Sequence, residues 1–194
     1  MGWRTLRAAL LLGLLALTPG CAHGGGQSAS PSPHASPRGV VYENPALGVS
    51  FRHPAGWRSV RTVSPDTAPG GVGDVEMHSP GGVVFDVSTT EKRVPKAPFD
   101  AKGQLATDRD SAKIFGFHIL TQDVVSVAGE PFARTDMLVK GRHVATLTGL
   151  ASGMLVGVNF HCPLGIWPAQ SKILDAVLST MSFTAPVQST SGGS

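Results

Sequence analysis

The stretch Tyr42-Glu43-Asn44-Pro45-Ala46-Leu47-Gly48-Val49-Ser50-Phe51-Arg52-His53-Pro54-Ala55-Gly56-Trp57 decides how this chain is read. Leu47, Val49 and Phe51 alternate with Gly48, Ser50 and Arg52, the period of two of a strand with one buried face. His53 continues the buried series, and Pro54-Ala55-Gly56 turns the chain. Trp57 is expected to pack back over the strand, because an indole covers a large apolar area. Before this stretch the sequence reads as export machinery; after it, as one packed domain.

Working toward the N-terminus, residues 1–20 have the three parts of a secretory signal. Arg4 and Arg7 form a basic start, Ala8 to Leu17 an apolar run, and Thr18-Pro19-Gly20 a small-residue exit before Cys21. The run is far short of the roughly 20 residues that span a bilayer. A cysteine directly after Leu17-Thr18-Pro19-Gly20 resembles the lipobox of bacterial lipoproteins, although Thr18 and Pro19 depart from its usual pattern. The resemblance implies lipid attachment, with palmitate among the acyl groups, at Cys21. Ordinary cleavage near Gly20, leaving a plain thiol, is the alternative. Residues 22–39 carry no large apolar side chain that would offset the entropy of ordering, so 21–39 is read as an acylated cysteine on a disordered tether. The tail 186–194, rich in Ser and Gly, is read as a second disordered end.

Toward the C-terminus the domain spans 40–185, a common single-domain size. Val75 and Met77 alternate with Asp74, Glu76 and His78; Val83, Phe85 and Val87 alternate with Asp86 and Ser88. Ser79-Pro80-Gly81-Gly82 joins the two as a hairpin. Asp74, Glu76, His78 and Asp86 then share the outward face, where charged cross-strand neighbours are the simpler reading and a metal site the sharper one. A helix is expected from about Pro98. Strands over His118–Val127, Pro131–Lys140, Arg142–Leu150 and Met154–His161 follow, joined by turns so short that only antiparallel neighbours fit. Ile173, Val177 and Met181 recur every four residues after Pro168, which predicts an amphipathic helix. The class is α+β: a central antiparallel sheet flanked by helices.

The opening Tyr42-x-Asn44, Gly48-Val49-Ser50-Phe51 and Pro54-x-Gly56-Trp57, with the meander and a closing helix running into Ser182-Phe183, resembles the PsbP-like superfamily. That group includes the photosystem subunit PsbP, a Ran-binding nuclear import factor and many bacterial lipoproteins. The resemblance implies an α/β/α sandwich over residues 40–185. It carries no functional residue onto this chain, since members share a scaffold without sharing a site.

Composition removes one class of partner. Sixteen basic residues less Arg4 and Arg7 leave fourteen, against thirteen acids, so the mature chain lacks the charge excess that nucleic-acid binding requires. No nucleophile elbow, phosphate loop, dinucleotide fingerprint or His-Glu-x-x-His is present, and no cofactor is expected. His118, His143 and His161 fall on three strands of the meander and are the metal candidates if they meet on one face. Cys162 is expected to be a buried thiol.

The leading functional expectation is an envelope lipoprotein, not an enzyme, held at the membrane by its acyl chains and acting as a binding or assembly accessory for an envelope protein. Ala22 lacks the aspartate that retains lipoproteins in some inner membranes. The expected site is therefore the periplasmic side of an outer membrane, or the outer side of a single cell membrane. Two alternatives stand beside it. One is a carrier of an apolar ligand, with room made by Gly149, Ala151, Gly153 and Gly157 near Met154 and Phe160; the other is an enzyme or metal-binding protein using the meander histidines.

Overall fold

The protein is described by a computed structural model over residues 39–65, 68, 71–90 and 99–185. The leader, Cys21, the tether before Gly39, the basic group around Lys92 and the tail 186–194 lie outside the described residues.

The described residues form ten strands in two sheets. β1 (Val40–Asn44), β2 (Val49–His53) and β10 (Ser182–Phe183) make a small sheet in the order β1-β2-β10. The large sheet contains β3 (Arg58–Val63), β4 (Val72–His78), β5 (Val84–Thr90), β6 (His118–Val127), β7 (Glu130–Val139), β8 (Arg142–Ala151) and β9 (Met154–Pro163). Its order is β3-β4-β5-β9-β8-β7-β6, antiparallel throughout. Helix α1 (Ala101–Phe115) carries the chain from β5 to the far edge, and the meander β6 to β9 returns until β9 pairs with β5.

Three two-residue turns set the meander's register. Ala128-Gly129, Lys140-Gly141 and Ser152-Gly153 all hold positive φ at both positions, the hairpin turn whose twist matches the strands it joins. Gly116, also left-handed, stops α1 while the amide of Phe117 reaches back to the carbonyl of Ala112. Asp100 caps the other end by accepting from the amide of Gly103 at 2.9 Å. A β-carbon at 103 would collide with that carboxylate, so the glycine that weakens the helical pattern makes room for its cap.

The first face of the large sheet holds the core. Phe85, Val87, Val158, Phe160 and Leu147 are fully buried there, each contributing roughly 1.5–3 kcal/mol relative to exposure. The small sheet and helix α2 (Trp167–Ser179) cover it: Phe51 meets Phe85 ring to ring at 5.2 Å, and Leu174, Val177 and Leu178 of α2 join the same cluster. Trp57 packs back as expected, 6.3 Å from His53 and 5.8 Å from Phe85. The second face carries α1 over β6, β7 and β8. The antiparallel sheet flanked by helices is the α+β architecture read from the sequence, to which the structure adds β1, β3 and β10. No helix among the described residues is long and apolar enough to cross a membrane.

Candidate functional site

On the second face, beside α1, strands β3, β4, β5 and β9 align a row of polar side chains. Arg61 pairs in register with Glu76, Glu76 with Asp86, and Asp86 with Asn159. Side chains directly opposite on neighbouring strands share a face, so one cation, two carboxylates and an amide form one ladder across the sheet. Each acid has a different neighbour. Asp74, diagonal to Arg61, takes the guanidinium. Glu76 Oε1 lies 2.5 Å from His78 Nε2. Asp86 has a neutral partner, accepting at 2.8 Å from Asn159 Nδ2. Burial lifts the Asp86 carboxyl to about 6; Asn159 pulls it down, and the negative charges of Glu76 and Asp74 push it further up. The row is a set of carboxylate acceptors whose central member forms no ion pair among the described residues.

A second polar group, with Asp136 and His143 buried and Asp175 exposed, lies on the first face, beside α2. Arg134 Nε donates to Asp136 at 3.2 Å, and its Nη1 to Asp175 of α2 at 3.1 Å. Thr121 donates to Asp136 at 3.1 Å. His143 stacks on Trp167 with ring centroids 3.5 Å apart, and its Nε2 stands 3.6 Å from Asp136 Oδ1. Among the described residues neither imidazole nitrogen has a hydrogen-bond partner, and burial pushes the ring's pKa down. Arg134 also borders a cleft of about 200 Å³ between β6 and α2, lined by Val125, Val127, Asp175 and Leu178.

No protein-family profile matches this chain, and no curated protein sequence does. Solved structures do. The solution structure of cyanobacterial PsbP (CyanoP) from Synechocystis superposes with a TM-score of 0.56 at 15% identity, over 80% of this chain and 98% of that one. The fold is PsbP-like. A protein of Bacteroides thetaiotaomicron superposes at 0.50 and 15% identity, over 75% of this chain and 48% of its own length. LpqN, involved in cell envelope biogenesis of Mycobacterium tuberculosis, reaches 0.43 at 12% identity over 76% of this chain and 86% of that one, a level at which shape supports no inference.

The PsbP-like sheet separates the three meander histidines. His143 pairs with Cys162, and Val144 with His161, so His143 and His161 project from opposite faces. His118 shares the face of His143 but is exposed and stands two strands away, beyond Leu138. The condition that they meet on one face is not met, and no group of three potential metal ligands occurs among the described residues. Asp74, Glu76, His78 and Asp86 do share the outward face, as the alternation requires. Cys162 is free and fully buried, its thiol pushed up by that burial.

The expected space beside the small residues is also corrected. A β-carbon on Gly149 would lie 2.5 Å from the Phe132 ring, and one on Gly157 would lie 2.7 Å from Ser88 Oγ. Those glycines admit neighbouring side chains rather than a ligand. Sequence reasoning missed Arg61, because β3 shows no apolar alternation, and the Arg134, Asp136 and Asp175 network, whose signal was a charged pair two apart on a strand.

Proposed function

We propose that this chain is a membrane-anchored envelope lipoprotein whose PsbP-like domain is a non-catalytic binding or assembly accessory, with the Arg61, Glu76, Asp86 and Asn159 row as the face it offers. The observation that carries the reading is the carboxylate pair at its centre. Like charges directly opposite on neighbouring strands cost roughly 0.2–1 kcal/mol, and Asp86 bears a further penalty from burial. An ammonium or guanidinium from a partner offsets the repulsion and gives Asp86 an ion-pair partner, so a basic segment of an envelope protein fits this face. The leader and Cys21 support the anchor: each buried methylene contributes about 0.8 kcal/mol, and two acyl chains hold a protein at a bilayer persistently. The location that follows is an outer membrane facing the periplasm, or a single cell membrane facing outward.

The test is affinity capture from detergent-solubilised envelopes with the wild-type chain and with Glu76→Gln/Asp86→Asn. A protein captured by the first and lost by the second supports the reading. Equal capture by both, or no specific partner, rejects it.

A further inference from the structure

We propose that the end of the domain where the tether joins is a bilayer-facing surface that seats on anionic lipid, an inference that rests on the anchored reading above. The strand registers define that end. Val40, the first strand residue after the tether, pairs with His53. His53 leads through the turn at Pro54 to Arg58, which pairs with His78. His78 pairs with Val84, Val84 with His161, and His161 with Val144. Val144 pairs with Met137, and Met137 with Ile119. One row thus crosses all seven strands of the large sheet, about 30 Å at the usual strand spacing, and marks the end where the chain enters the domain. The C-terminal strand β10 pairs instead with Val49 and Ser50, and Ser152 of the opposite turn donates to the carbonyl of Phe183, which places the other terminus at the other end.

Exposed apolar side chains collect at the tether end. Val40 and Val41 are about half exposed on β1, as is Phe115 at the last turn of α1; Ile114 beside it is 78% exposed. Leu120 near the start of β6 and Leu164 just after β9 complete the set. Two others, Val60 and Val124, lie further along the outer strands. Phe115 also stacks on Phe117 at 5.7 Å, which makes a wide aromatic tip rather than a single stray ring.

Among the described residues charge leans the same way. Exposed Arg52, Arg58, Lys113 and Lys140 sit at this end, with Lys113 sharing its charge with Asp110 at 3.4 Å. Exposed Glu43, Asp100 and Glu130 sit at the other, beside a single exposed base among the described residues there, Lys102. Basic residues around an apolar tip match an anionic lipid surface, where each contributes through attraction and the apolar groups through burial. The eighteen residues 22–39 can reach at most about 60 Å, so the tether brings this end near the membrane without forcing contact. The composition of the end itself supplies the contact.

The test uses the full acylated chain reconstituted in phosphatidylglycerol/phosphatidylcholine vesicles. Phe115→Cys and, as the opposite end, Glu130→Cys are each labelled with an environment-sensitive fluorophore; buried Cys162 does not compete. Intact mass reports the acyl chains, and flotation reports attachment. The expected result is flotation of both, with a blue shift and strong quenching by nitroxide lipid at position 115 only. Lys113→Gln or Lys140→Gln should lower the ratio of docked to undocked protein about fivefold each, equivalent to about 1 kcal/mol per basic residue at an anionic surface. Flotation with both probes equally in water overturns the docking inference and leaves the anchor standing. A chain of unacylated mass that does not float overturns both.

Discussion

Replacing Asp86 with asparagine isolates the cost at the centre of the polar row. The two side chains have the same shape, and the introduced amide can keep the 2.8 Å bond from Asn159 Nδ2 through its own carbonyl oxygen. What disappears is a carboxyl held at about 6 against an ordinary 3.8. A raised acid binds its proton more tightly in the folded state, so its contribution is destabilising above the folded value and vanishes below the unfolded one. A shift of about two units at about 1.36 kcal/mol each makes the charged carboxylate cost about 3 kcal/mol at pH 8. The same linkage leaves about half of that at pH 5 and well under about 1 kcal/mol at pH 4. Asp86→Asn should therefore be more stable than wild type by those amounts, measured by urea unfolding at the three pH values. A stability difference that does not change with pH, or an asparagine variant that is less stable at pH 8, would refute the assignment of strain to this carboxylate.

Other parts of the fold give equally direct outcomes. Arg134→Met leaves Asp136, 7% exposed, without its guanidinium, and should cost about 3–5 kcal/mol in urea unfolding, the loss typical of a buried ion pair broken on one side. Gly149→Ala drives a methyl into the Phe132 ring and should cost about 1–3 kcal/mol, with Phe132→Leu recovering part of it in the double variant. Ala128→Asn, at a turn position with φ 53°, should raise the thermal midpoint by relieving about 1 kcal/mol of left-handed strain; no change would show that this turn is not strained.

The sequence was most legible where apolar and polar residues alternate cleanly. Met154, Val156, Val158 and Phe160 announce one face of β9, and all four are buried. β3 escaped because Arg58 to Val63 is exposed along nearly its whole length, so no buried stripe exists to find. β1 shows both Val40 and Val41 to solvent in succession, and β10 is two residues long, set by its pairing with Val49 and Ser50. The polar row was half legible for the same reason. Asp74, Glu76, His78 and Asp86 follow from strand alternation, whereas Arg61 and Asn159 enter only through pairing with other strands. The group around Arg134 was illegible because its pairing with α2 depends on that helix packing beside β7, which places Asp175 forty-one residues away at 3.1 Å.

The proposed attachment to the membrane stands or falls with the modification of Cys21. Cells producing the chain, and cells producing Cys21→Ser, should be grown with radiolabelled palmitate and their envelopes resolved. Label in the wild-type band and none in the variant is the expected result. An unlabelled wild-type band, in cells whose other lipoproteins take up the label, would contradict the anchor.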